Sequence, residues 1–219
     1  MRRNFLISTA LFALSACHHA APVAAAPPPP PVAPAPPAQP PPAASPARTC
    51  ETLADNCLAA PGSALAIGNR GAWLVPPAGW VFAKLPEHSI AIGPDGKALL
   101  AAVAINAVDD KDVLAAMEKL AGELTIEDVK WDSLKHRLSK PQTSLDAGGA
   151  PLALWEINKN ISHGSNPQIK GKGEGTLLAF HAKLAGDEMI VGVGFVVVPD
   201  AEAEAAQVMQ SLQSLKGKQ

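Results

Sequence analysis

Met189-Ile190-Val191-Gly192-Val193-Gly194-Phe195-Val196-Val197-Val198 is apolar at every position. Successive side chains of a strand point to opposite faces, so a strand with one wet face alternates polar and apolar residues. A run with no polar residue on either face reads as a central strand covered on both sides, or one with small residues under a helix. Just before it, Ala185-Gly186-Asp187 is a tight turn. Further back, Glu174 to Leu184 puts Thr176, Leu178, Phe180, Ala182 and Leu184 on one face and His181 on the other. After it, Pro199-Asp200 caps a helix to about Leu215, striped by Ala205, Val208, Leu212 and Leu215.

The pattern continues toward the N-terminus. Ala72 to Val75, Trp80 to Leu85, Ser89 to Ile92 and Lys97 to Ile105 read as strands, with Gly93-Pro94-Asp95-Gly96 as a hairpin tip. Asp109-Asp110 start a helix to about Leu124, in which Val113, Met117, Leu120 and Leu124 form one stripe. Asp109, Asp110, Asp112 and Glu118 cluster there. Three of the four fall in the first turn, where acids complement the helix dipole, so capping explains them better than acid–base work. Ser133 to Ser139 alternates, which predicts a strand with His136 as a hydrogen-bonded core histidine between Leu134 and Leu138. Pro151 to Asn158 is another strand, with Ala153, Trp155 and Ile157 on one face. Sequential strands joined by short turns, interrupted by helices, imply an α+β domain over residues 63–219. The expected architecture is an antiparallel sheet of about six to seven strands with two main helices packed on it.

Composition bounds the function. The 219 residues carry 18 Lys+Arg and 20 Asp+Glu, a formal charge of −2. Nucleic-acid binders show a basic footprint, and none is present. Thirteen of the 22 prolines lie between Pro22 and Pro46. From Ala20 to Ala47 the chain is almost all Pro and Ala, which cannot bury a core and favours extended polyproline II. At about 3.1 Å per residue this spacer reaches at most roughly 87 Å. Its PxxP spacings would suit an aromatic docking groove, but they arise by chance in so proline-rich a stretch.

The first residues read as an export signal. Met1-Arg2-Arg3-Asn4 is a short positive start, and Phe5 to Leu14 is apolar apart from Ser8 and Thr9. Ten helical residues span about 15 Å, half of a ~30 Å hydrocarbon core, which suits a signal h-region and not a membrane span. The run ends Leu14-Ser15-Ala16-Cys17. This closely resembles the lipobox of bacterial lipoproteins. The resemblance implies cleavage after residue 16, acylation of Cys17 and a stable membrane anchor, since two or more acyl chains hold where one does not. His18 follows Cys17 where the family's inner-membrane retention signal has Asp, so the resemblance implies the outer membrane. The folded domain is then expected in the periplasm or at the cell surface. The implied organisation is a signal peptide 1–16, a lipidated linker 17–47, a short stapled segment 48–62 and the globular domain 63–219.

With Cys17 acylated, Cys50 and Cys57 remain as an even pair in an exported protein, which favours a disulfide. A straight helix would hold their Cα atoms about 10.5 Å apart, beyond disulfide reach, so the segment is expected to bend near Asp55-Asn56. The spacing is not C-x-x-C, so a redox role is disfavoured. Pro77-Ala78-Gly79-Trp80 before the first hairpin, and the apolar strand leading to Gln210-Ser211-Leu212, weakly resemble the PsbP/DcrB-like group. That resemblance implies an antiparallel sheet sandwiched by helices and a non-catalytic accessory role.

No nucleotide loop, H-E-x-x-H or G-x-S-x-G occurs, and the histidines lack metal-ligand spacing, so no cofactor or metal is implied. The most suggestive stretch is Asn158 to Gly175, read as a polar loop between strands. Lys159, Lys170 and Lys172 could receive an anion, and Ser162-His163-Gly164-Ser165 sits in its middle. A flexible hairpin tip is the simpler account. The expected function is a membrane-anchored, non-catalytic binding or accessory module that contacts an envelope protein or cell-wall material. The alternative is an anchored hydrolase, or a binder of small anions, using the 158–175 loop and His163.

Overall fold

A computed structural model describes residues 50–54, 57–147, 150–163, 173–184, 188–197 and 202–217. The strands are β1 (Leu65–Ile67), β2 (Ala72–Leu74), β3 (Val81–Lys84), β4 (Ser89–Ile92), β5 (Ala98–Asn106), β6 (Ile126–Glu127), β7 (Thr143–Ala147), β8 (Ala150–His163), β9 (Gly173–Lys183) and β10 (Glu188–Val197). The α-helices are α1 (Asp110–Glu123), α2 (Trp131–Lys135) and α3 (Glu202–Gln213). The class is α+β, as the element order implies. The main sheet is antiparallel, ordered β3-β4-β5-β10-β9-β8, with β6 and β7 both on the outer edge of β8. Strands β1 and β2 form a separate two-stranded sheet.

The all-apolar run is β10, and it lies in the middle of the sheet between β5 and β9. Its two faces belong to different layers. One face packs Leu100, Phe180, Ile190 and Val196 against Val208 and Leu212 of α3, and against the β1–β2 pair. The other packs Val191, Val193 and Phe195 against Val113, Met117 and Leu120 of α1, and against Leu134 of α2. Glycine makes this possible. A Cβ on Gly192 would overlap the Phe180 ring and the Ala101 carbonyl, and one on Gly194 would press on Val208 at 3.1 Å.

α1 begins where the acid cluster predicts. Asp109 accepts from the Lys111 and Asp112 amides at 2.8 and 3.2 Å, and Asp112 accepts in return from the Asp109 amide at 3.4 Å and from the Val108 amide at 2.8 Å. This is a reciprocal capping box, so these acids are occupied in starting a helix.

Three readings are corrected. Ser133 to Ser139 is not a strand: α2 occupies Trp131–Lys135, and Leu134 and Leu138 are buried one helical turn apart. Spacing i, i+4 satisfies a helix as well as an alternating strand, and the short apolar pattern does not separate them. His136 is therefore exposed and not in the core. The 158–175 segment is not one long loop. Strand β8 runs on to His163 and β9 starts at Gly173, with a register shift between Asn158 and Ile161. Finally, among the described residues the main sheet has eight strands, because β6 and β7 are too short or too polar to announce themselves, and the five-residue α2 joins the two main helices α1 and α3.

Cys50 and Cys57 form a disulfide with Cα atoms 6.0 Å apart. The expected bend at Asp55-Asn56 lies outside the described residues. The stapled segment is continuous with the sheet: Lys84 N donates to Cys50 O at 2.7 Å, Phe82 N to Cys57 O at 3.0 Å, and Ala59 N to Trp80 O at 2.8 Å.

Gly192→Ala forces a methyl into the Phe180 ring and a backbone carbonyl and is expected to cost about 3 kcal/mol, the upper end for overpacking. Gly122→Ala, in α1 with nothing within 4 Å of the added Cβ, is expected to add up to about 1 kcal/mol. Urea denaturation of both variants reads the pair; effects of the same sign would contradict this account of β10.

Candidate functional site

A concavity walled mainly by apolar side chains lies between α3 and the sheet. Its volume is about 440 Å³. Leu154 of β8, Leu178 of β9, Val196 of β10 and Met209 of α3 form apolar walls, and Gln142, Glu156 and Glu202 reach the rim. α3 touches down where Val208 meets Gly194, while its first turns border open space above β8 and β9. Leu154 and Leu178 keep 5% and 8% exposure, whereas Leu152 and Phe180, deeper on the same strands, have 0%. The cavity is thus open to solvent at one end of the layer between α3 and the sheet.

Its rim is braced. Gln142 Oε1 accepts from the Glu156 amide and from Arg137 Nη2, each at 3.1 Å. The first of these bonds satisfies a β8 edge amide just beyond the β7 pairing, which ends at Leu154. Trp155 anchors the turn behind it, donating from Nε1 to the carbonyls of Arg137 and Lys140 at 3.0 and 3.3 Å. Among the described residues no lysine or arginine lines the cavity. Such a site can desolvate an apolar group and orient it through a few polar atoms.

The expected site residues fall elsewhere. Cys17, Lys170 and Lys172 lie outside the described residues. The backbones of Lys159 and His163 belong to β8, next to the register shift and at the strand's end; their side chains are outside what is described. Sequence reasoning did not find the cavity residues. Leu154 lies opposite the face marked by Ala153, Trp155 and Ile157, and Met209 lies just off the α3 stripe. The signal was available in β8, since Leu152 and Leu154 are apolar too.

Two histidines are tuned by burial. His88 Nδ1 is 3.1 Å from Glu123 Oε2, while its Nε2 is buried without a partner. Burial lowers its pKa below the ordinary 6.5 in spite of the Glu123 carboxylate. His181 packs its ring 5.1 Å from Trp155, with a buried, unpartnered Nδ1. Burial lowers its pKa as well, against a weaker pull from Asp110. Among the described residues no group of three His, Cys, Asp or Glu could hold a metal ion, and no helix is long and apolar enough to cross a membrane.

No family model matches this sequence, and no curated protein matches it either.

Both histidines bind protons more weakly folded than unfolded. Stability is therefore complete above the unfolded value of 6.5 and falls as pH drops through it toward the lower folded values. Thermal melts across this window are expected to show that loss, and His181→Phe, which keeps a ring against Trp155, is expected to lose less. An identical pH profile for H181F would exclude His181 as a contributor.

Proposed function

We propose that this chain is a lipid-anchored envelope lipoprotein whose folded part is a non-catalytic binding module. In this reading Cys17 carries the anchor and the Pro/Ala segment holds the domain away from the membrane. The module receives the apolar part of a ligand or protein partner in the cavity under α3. The observation that carries the binding role is that solvent-open cavity, walled mainly by apolar side chains between α3 and the sheet. The anchor rests on the positive start, the short apolar run and Leu14-Ser15-Ala16-Cys17. A non-catalytic role accords with the resemblance to the PsbP/DcrB-like group. Outer-membrane sorting is part of the proposal, on the strength of His18.

Mass spectrometry of the N-terminal peptide is expected to find acylated Cys17, and Cys17→Ser to move the protein from the membrane fraction to the soluble fraction. An unmodified Cys17 in the membrane fraction overturns the anchor.

Met209→Trp fills the cavity from the α3 side. Cross-linking in intact cells is expected to capture one reproducible envelope partner with the wild type and to lose it with M209W, whose circular dichroism stays native. Capture unchanged by M209W overturns the cavity as the binding surface.

A further inference from the structure

A second concavity lies at the opposite end of the same face of the sheet, where the β1–β2 turn crosses β5 and β10. Gly68, with φ of +62°, brings this turn so close that a Cβ on it would overlap that of Ala104. Glu188 Oε1 lies 3.7 Å from the same point. Glu188 opens β10 and is 8% exposed. Among the described residues its carboxylate takes part in no ion pair or side-chain hydrogen bond. It faces a polar cavity of about 260 Å³, which Arg70, Lys84 and Asn106 also line.

Ser89, Glu87 and His88, which also line this cavity, have partners of their own. Ser89 donates its hydroxyl to the Ala66 carbonyl. Glu87 pairs with Lys119 at 3.7 Å, and His88 with Glu123. Lys84 Nζ donates to the neutral Asn69 Oδ1 at 2.8 Å, which leaves its charge uncompensated. One anion and two cations therefore border a single small space with no ion pair joining them. The rest of the Glu188 residue is covered, its carboxylate opens on this cavity, and no charged group of the described protein pairs with it.

We infer that this cavity binds a small zwitterion, an amino acid, with its ammonium group on Glu188 and its carboxylate on Arg70 and Lys84. A simple anion would meet the Glu188 charge, and a simple cation would meet Arg70 and Lys84. A divalent metal would find one free carboxylate where it takes six or more oxygen ligands. A molecule with both signs a few bonds apart satisfies all three groups through charge-assisted hydrogen bonds. The volume admits a molecule of a few carbons and not a drug-sized one.

The test uses the full-length protein in detergent and reads ligand-dependent melting with alanine, lysine, propylamine and propionate. Alanine or lysine is expected to raise the melting temperature, and propylamine and propionate to do so far less. Glu188→Gln, which keeps the shape, is expected to weaken the amino-acid response at least about tenfold, and Arg70→Ala to weaken it as well. Met209→Trp, at the distant cavity, is expected to leave it unchanged, so failure here is separable from failure of the α3 site. No response to either amino acid, a response retained in E188Q, or propylamine acting as well as alanine each overturns the inference.

Discussion

The Phe180 ring fills the space where a side chain of residue 192 would stand on the neighbouring strand, and the rest of the fold depends on that contact. β10 must be covered on both faces, because it offers no polar side chain to water along its middle. A side chain at residue 192 would push Phe180 away from the strand and open the layer beneath α3. The same device recurs on the opposite face, where the Phe195 ring lies over Gly175 of β9. Two aromatic rings each fill the space that a glycine vacates, one per face. The central strands thereby carry large buried rings without separating the helices above and below.

From this centre the sheet extends to two edges that are closed differently. At β3 the edge amides and carbonyls are taken by the stapled segment, through Cys50, Cys57 and Ala59. At β8 the edge is shared, with β7 along its first half and β6 at its end. Between them a side chain substitutes for backbone, as Gln142 receives the Glu156 amide. An exposed strand edge invites pairing with other chains, and each of these arrangements limits it. The C-terminal end of α3 is fastened in a similar way: Lys216 and Trp73 exchange backbone hydrogen bonds at 2.9 and 2.8 Å, and the Lys216 ammonium lies 5.4 Å from the Trp73 ring centre.

Much of this architecture was legible where the pattern was long or chemically marked. β10 announced itself by having no polar residue, and α1 by an acid cluster placed to cap it. β4 was read to its ends because Gly93-Pro94-Asp95-Gly96 punctuates it. Reading failed where the signal was short. Leu134 and Leu138 fit a strand and a helix equally, and tertiary contact with Trp155 decided for the helix. Ile126–Glu127 is two residues long and exists only because β8 passes beside it. The cavities were illegible for a deeper reason. Each is space left between elements that are individually regular, so no local sequence encodes it. Glu188 carries no mark in the sequence; it is the fold that lays Gly68 across it.

The stapled segment has a mechanical consequence. Any tension along the chain preceding residue 50 enters the fold at Cys50. The disulfide passes that force straight to Cys57, so residues 51–56 cannot pay out as slack. The pull then arrives at a strand hydrogen-bonded on both sides of the covalent link, at Lys84 through Cys50 and at Phe82 through Cys57. With the thiols reduced, the same pull could peel the segment from β3 one bond at a time. The short covalent loop works as a strain relief, like the clamp where a cable enters its housing.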